Sequence, residues 1–454
     1  MSTRPSGHQP SSSPDDRRRL ALDLLAAAIE AAHPGPAVLD ALREEDLPDG
    51  KVWVVAIGKA APGMATAAVT GLARLGREPT GGLVVAPTAG APPHPAFEVA
   101  VGDHPVPGTG SFDAARRLGV LTTRVAPADV VLVLLSGGAT ALVGAPATEV
   151  ETGELVSLYD ALLRSGAPID VMNAIRKRFS RWGAGRLAAA LAPATVRCLA
   201  VSDVAGDDPS AIGSGPCVPD YCTATELLDL IERHALRDSV SPALREHLAL
   251  VARGEIPETP GPGDAAFARA STRVILDNRA ALAGAASAAR ASGCEVGIVD
   301  AELAGDAAAA GRACATELLQ RADGAAQGPT RHRPLCLLWG GETTVTMPPG
   351  ANGTGGRCQE LALAAAELLR DAGARGARVT LLAAGTDGRD GPTDAAGAVV
   401  DGGTWDQIAS AGVDPYEALA RHDSHRALGA AAGALVRTGH TGTNVRDVVI
   451  GLVS

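Results

Sequence analysis

Short, unbroken apolar runs recur along this chain, separated by Ala- and Leu-rich helical patterns, and that alternation limits the folds open to it. Val52–Ile57, Leu83–Ala86, Val130–Leu135, Val196–Val201, Val274–Leu276, Leu335–Trp339 and Val379–Ala383 each read as a strand. A strand that is apolar at every position needs cover on both faces, and intervening helices supply it. The class is therefore α/β, with a largely parallel, doubly covered sheet. A chain of 454 residues is too long for one ordinary domain and divides into two or three, each with its own core.

The segment Ala252–Asp264, ARGEIPETPGPGD, is dense in proline and glycine and breaks the alternation. It sets the expected organisation: a disordered tail over 1–18, an N-terminal α/β domain over 19–252, a linker over 253–264 and a C-terminal α/β domain over 265–454. The closing stretch TGTNVRDVVIGLV reads as a turn and a strand that could belong to either domain.

Composition removes several function classes. Aromatic residues make up 2% of the chain, so the core rests on Ala, Val and Leu, and the low share argues against stacking platforms for single strands. A net charge of −11 disfavours a nucleic-acid partner but leaves room for a small anion held by local cations. The seven cysteines form no C-x-x-C pair, which points to a reducing, cytoplasmic setting. The N-terminal segment is interrupted by Asp23 and Glu30, so neither a signal peptide nor a membrane span is expected.

Candidate chemistry lies in the loops that follow strands, where such sheets place ligands. In VWVVAIGKAAPGMA, Gly58 makes the turn and Lys59 stands at the mouth of a helix, placed to meet phosphate oxygens or simply to be solvated. In LLSGGATAL, the Ser136, Gly137 and Gly138 turn suits a carboxylate or a phosphate, or is a plain strand-to-helix turn. In VSDVAGDDPS, Asp203 with Asp207 and Asp208 offers hard oxygen ligands for Mg²⁺, although Asx turns would explain the same residues. AAGTDGRDGPTD carries Asp387, Asp390 and Asp394 but lacks the order of an EF-hand.

The stretch from Trp339 to Glu360 is dense in glycine, with Gly340, Gly341, Gly350, Gly353, Gly355 and Gly356, and it leads into Arg357 at the start of a helical pattern. Glycine lets backbone N–H groups approach an anion closely, so this loop reads as a phosphate site with a fixed cation at its end. Arg176, Lys177, Arg178, Arg181 and Arg186 form a basic helical stretch that could steer a charged substrate, and His104 sits in a proline-braced turn. No Walker motif occurs, and the two G-x-G-x-x-A matches, at Gly183 and Gly261, do not follow strands.

In chain order, AIGKAAPGMA, GDHPVP, LSGGATAL, MNAIRKRFS, SDVAGDDPSAIGSGP, WGGETTVT, GGRCQELAL, AAGTDGRDGPTDAAGA and TGHTGTNVRD resemble the glycerate 2-kinase family, whose C-terminal part, here about 334–447, is called MOFRL. The resemblance implies a cytosolic enzyme that moves the γ-phosphoryl group of ATP to the 2-hydroxyl of D-glycerate with Mg²⁺. It also implies two α/β domains, the first Rossmann- or flavodoxin-like, with the active site in the cleft between them. Lys59, Arg357 and Asp203 are the expected catalytic residues. Gly58, Ser136, Gly137, Gly138, Gly340, Gly341, Glu342, Gly355, Gly356 and Asp387 are the expected binding residues, and Asp203 and Asp387 the expected metal ligands. A homodimer is compatible with the resemblance. The runner-up reading is an NAD(P)H-dependent hydroxypyruvate reductase, and a third is a non-catalytic nucleotide- or anion-binding protein. Departures from the family pattern are Cys358 where Asn is usual, His440 where Pro is common, and Ala184 in a glycine position.

Overall fold

The computed structural model describes residues 13–147, 150–324, 333–347 and 352–454, so part of the Trp339–Glu360 loop, including Gly350, lies outside the described residues. The chain divides into two units, one made of Met1–Ala32 with Asn278–Ser454 and one made of His33–Asp277.

The His33–Asp277 unit is built on six strands: β1 (Val52–Ile57), β2 (Pro79–Ala86), β3 (Phe97–Val101), β4 (Val130–Leu135), β5 (Thr195–Val201) and β6 (Ala270–Leu276). Their order is β3-β2-β1-β4-β5-β6, and each neighbouring pair is parallel. β1 and β4 are buried along their whole length, as the unbroken valine and leucine runs require. This is the Rossmann order, and its direction of winding reverses between β1 and β4, where such sheets bind ligands. A second core in this unit gathers Leu155, Tyr159, Ile175, Phe179, Leu227 and Leu244 from helices outside the sheet.

The other unit carries β7 (Glu295–Ile298), β8 (Leu335–Gly341), β9 (Val379–Gly385), β10 (Gly397–Asp401), β11 (Leu435–Val436) and β12 (Asp447–Val453), in the order β11-β10-β9-β12-β8-β7. Only β7 and β8 pair in parallel; the remaining pairs are antiparallel. The largely parallel sheet expected for the N-terminal domain is thus confined to the His33–Asp277 unit. An apolar run reports that both faces are covered, and it carries no information about strand direction. The last strand, left open by the sequence, inserts between β8 and β9 and is buried throughout.

The division of the chain also differs from the expected one. The segment 253–264 is not a connection between units. Asp220 N donates to Pro260 O at 2.9 Å, Thr259 Oγ1 donates to Asp220 Oδ2 at 3.0 Å, and Glu258 pairs with Arg178, all inside the His33–Asp277 unit. The unit boundary falls at Asp277/Asn278. Residues 14–18, expected as tail, begin the helix Pro14–Ala31. Ser13 caps it by accepting from Asp16 N, Pro14 opens it, and Asp15 and Asp16 lie in its first turn. This helix packs on the second unit rather than the first: Arg17 Nε donates to Thr380 Oγ1 at 3.1 Å and Arg18 pairs with Asp401 at 2.9 Å.

Ala184, standing in a glycine position of the family pattern, has φ of 53°, a left-handed conformation that a Cβ disfavours. Ala184→Gly is expected to stabilise the protein by about 1 kcal/mol, because relief of that strain exceeds the entropy glycine loses on folding. Denaturant unfolding of the two proteins checks it, and a lower midpoint for the glycine variant contradicts it.

Candidate active site

In the His33–Asp277 unit three loops meet at the carboxyl ends of β1 and β4. Gly58 follows β1 with φ of +132°, and a Cβ there would fall 2.1 Å from Ser136 Oγ, so only glycine fits the turn. The two turns lock together: Lys59 N donates to Gly137 O at 2.9 Å, Ala60 N to Ser136 Oγ at 3.1 Å, and Ser136 N to Ile57 O at 3.0 Å. The buried Ser136 hydroxyl thus braces the Lys59 turn. Gly138 stands between two side chains, since a Cβ built on it would lie 3.1 Å from His104 Cδ2 and 3.7 Å from Lys59 Cγ. Sequence reasoning brought Lys59 and Ser136–Gly138 forward separately; the structure brings them together, with His104 added.

The helix Ala61–Arg74 that follows Lys59 has no side-chain cap; at its start Ala61 N donates to Gly58 O at 3.2 Å and Pro62 carries no N–H. The turn after Gly138 leads only into the short helix Ala139–Leu142. Asp203 follows β5 and is half-buried. Asp208 accepts from Ser210 N and Ser210 Oγ, both at 2.8 Å, which is turn chemistry and not ligand chemistry.

The second group of residues is centred on the first residue of β12. Asp447 pairs in register with Gly341 at the end of β8 and with Gly385 at the end of β9. Its carboxylate accepts from Arg357 Nε at 2.6 Å and Arg357 Nη2 at 2.8 Å, a bidentate pair, while Arg357 Nη1 lies 3.1 Å from Glu342 Oε1. Burial opposes the guanidinium charge, but Asp447 and then Glu342 outweigh it and hold Arg357 protonated. Asp387 joins the group: a Cβ on Gly385 would lie 3.3 Å from Asp387 Oδ1 and 3.4 Å from Asp447 Oδ1. Gly340 lies against Asn278, whose Nδ2 donates to Val445 O at 2.7 Å and Asp447 O at 3.0 Å, fixing the start of β12.

The glycine-rich loop is used differently from the expectation that its helix start faces a bound anion. The buried Asp390 carboxylate occupies the N-terminus of helix Arg357–Asp371, accepting from Cys358 N at 3.1 Å, Gln359 N at 2.8 Å and Gln359 Nε2 at 3.0 Å. A Cβ on Gly356 would lie 2.2 Å from Asp390 Cγ, and one on Gly355 2.1 Å from Ser424 Oγ. These glycines therefore let the loop close onto the protein's own groups. Cys358, the departure nearest the chemistry, is buried, and burial together with Asp447 and Asp390 pushes its thiol pKa up, so it remains a neutral donor.

Asp447 is the functional candidate that sequence reasoning missed. Its signal was a carboxylate directly before the apolar run VVIGLV, within a motif already singled out. Asp390 was noticed only as a loop residue, and nothing local marks it as the cap of a helix more than thirty positions earlier.

Burial raises the Asp390 pKa to about 6 from 3.8 against the opposing amide bonds. Between those values the native state holds a proton that the unfolded chain releases, so this group's contribution to stability falls as pH rises. The stability of the wild type relative to Asp390→Asn should drop by up to about 3 kcal/mol between about pH 4 and pH 7. Urea unfolding across that range measures it, and a flat difference contradicts the assignment.

Two family models match the chain: a domain of unknown function, DUF4147, over residues 20–249, and the MOFRL family over residues 335–447. The D-glycerate 2-kinase of Thermotoga maritima is 38% identical over 441 residues, covering 97% of this chain and 99% of that protein. The glycerate 2-kinase of Pyrococcus horikoshii is 34% identical, covering 97% and 98%. A protein of Agrobacterium vitis that is 36% identical carries a provisional hydroxypyruvate reductase name. The crystal structure of the Thermotoga maritima glycerate kinase superposes with a TM-score of 0.81 at 36% identity, covering 97% of this chain and 100% of that one.

Proposed function

The chain belongs to the glycerate kinase family, with its DUF4147 and MOFRL regions in sequence, and from that premise we propose that it is an ATP-dependent glycerate 2-kinase. The observation that carries the reading within the chain itself is the Lys59 turn at the β1/β4 reversal of a Rossmann-order sheet, interlocked with Ser136–Gly138.

In the reaction the 2-hydroxyl oxygen of D-glycerate attacks the γ-phosphorus of ATP, the bond to the β–γ bridging oxygen breaks, and ADP leaves. The protein's task is to position the groups and to stabilise charge spread over the phosphoryl oxygens. We assign that stabilisation to Lys59, and to Arg357, whose fork is set by Asp447 and Glu342. Asp203 is assigned to take the hydroxyl proton or to hold the metal.

Among the described residues no group of three His, Cys, Asp or Glu could hold a metal ion. Mg²⁺ takes one or two carboxylates and fills its shell with water and phosphate oxygens. Asp387, a hard oxygen donor beside Asp447, or Asp203 would hold it. Bound with ATP, Mg²⁺ would neutralise phosphate charge. Seven free cysteines accord with a cytosolic setting.

The hydroxypyruvate reductase reading would use the same sheet to hold a nicotinamide dinucleotide. The β1 turn reads G-K-A-A-P-G, with Lys59 and no second glycine at the close approach, and β2 runs into Ala86-Pro87-Thr88 without the acidic residue that holds a ribose. The test is to incubate the protein with MgATP and D-glycerate and identify the product. 2-Phosphoglycerate is expected; NADH oxidation by hydroxypyruvate without any phosphoglycerate would replace this reading with the reductase.

A further inference from the structure

The basic stretch 176–186 is almost entirely spoken for by the protein itself. Lys177 pairs with Asp220 at 2.8 Å, Arg178 pairs with Glu258, and Arg186 donates to the backbone oxygens of Lys177, Arg178 and Ser180. Arg181 lies over the Trp182 ring at 5.1 Å. Arg176 is different. Its guanidinium lies 5.1 Å from the centre of the Tyr159 ring, yet its Nε and Nη2 are buried with no hydrogen-bond partner. The hydroxyl of Tyr159 is also buried and unpartnered. Three unsatisfied donors thus lie in two touching side chains, and Arg176 is the one arginine among the described residues with both Nε and Nη2 buried and unpartnered, whereas buried polar groups are as a rule paired.

Nε and Nη2 form one edge of the guanidinium fork, the same edge that Arg357 turns to Asp447 in the other unit. That edge matches the two oxygens of a carboxylate. Burial lowers the pKa of Arg176, opposed only by Tyr159, so among the described residues no carboxylate of the protein compensates this cation.

Its place in the fold links it to the Lys59 loops. Arg176 is on the helix Ile169–Phe179, whose end is tied to the segment leaving Ser136–Gly138: Ala147 N donates to Phe179 O and Arg181 N to Ala145 O, both at 2.8 Å. Val106 packs on the core cluster that contains Tyr159 and Ile175, two residues after His104, which flanks Gly138.

We propose that the Nε/Nη2 edge of Arg176, together with the hydroxyl of Tyr159, holds the carboxylate of the hydroxy-acid substrate. This rests on the kinase reading for the identity of the substrate, and it assigns the nucleotide phosphates to the Lys59 turn instead. A carboxylate accepts from all three unsatisfied donors, whereas glycerol, lacking it, gains nothing there. The edge and the Tyr159 hydroxyl are both covered in this conformation, so binding entails a local parting of the helices Thr152–Ser165 and Ile169–Phe179 that exposes the two together.

The test is calorimetric titration of the wild type, Arg176→Met, Arg176→Lys and Tyr159→Phe with D-glycerate, glycerol and ATP, alongside steady-state kinetics. Arg176→Met should weaken D-glycerate binding and raise its KM by about 10–100-fold, with ATP affinity kept within about twofold. Arg176→Lys, which retains charge and most of the packing but not the fork, should fall between, and Tyr159→Phe should cost several-fold. Glycerol should not distinguish the proteins. The proposal is overturned if the wild type fails to bind D-glycerate, if Arg176→Met binds it as the wild type does, or if that variant loses ATP instead. If the wild type binds D-glycerate through Arg176 but forms no phosphoglycerate, the carboxylate site stands and the kinase reading falls.

Discussion

Lys59→Ala is expected to lower kcat by about 10³–10⁵ while leaving the midpoint of thermal unfolding close to that of the wild type. The loss is large because the ammonium acts on charge that develops only as the phosphoryl group moves, so its removal raises the barrier by roughly 4–7 kcal/mol. The fold is spared because the turn is held by other groups: the backbone bond from Lys59 N to Gly137 O, the bond from Ala60 N to Ser136 Oγ, and the φ of +132° at Gly58. Single-turnover phosphoryl transfer with saturating MgATP and D-glycerate reads the effect. Turnover within tenfold of the wild type, about 1.4 kcal/mol, would remove Lys59 from the chemistry.

Asp447→Ala is expected to cost both activity and about 3–5 kcal/mol of stability. The carboxylate is buried and receives two parallel bonds from Arg357; without it the guanidinium keeps only its contact to Glu342, an exposed partner. Arg357 would then lose its orientation, so kcat should fall even though Asp447 itself is a positioning residue. From sequence alone Arg357→Ala looks neutral for the fold, as an exposed cation would be. The structure reverses that expectation, since this variant strands the buried Asp447 carboxylate and should also unfold at lower denaturant. Arg357→Lys keeps a charge but not the fork, and should recover stability more than turnover. A double-mutant cycle across Arg357 and Asp447 measures the pair, with an expected coupling of about 2 kcal/mol or more. Independent, additive losses would mean that the two side chains do not act together.

The strands β1, β4, β8 and β9 were legible because each contains an unbroken apolar run, whereas β3 and β7, which carry Glu98 and Glu295, have no such run and were not singled out. Lys59, Ser136 and Arg357 were legible because they stand directly at the ends of runs or the mouths of helices, so local pattern placed them at strand and helix ends. The bidentate pair was not, because Arg357 and Asp447 are 90 positions apart and only the antiparallel insertion of β12 between β8 and β9 unites them. Asp390 as a helix cap and the packing of helix Pro14–Ala31 on the second unit escaped for the same reason.

By itself the sequence determined the α/β class, the doubly covered sheets and the residues that stand at strand ends, because burial and turn chemistry are properties of neighbouring positions. Tertiary structure decided which glycines face a ligand and which face Asp390 or Ser424, which cations are neutralised, and which one keeps an unsatisfied edge. Those outcomes depend on which distant side chain fills a given space, and hydrophobic periodicity along the chain carries no record of that choice.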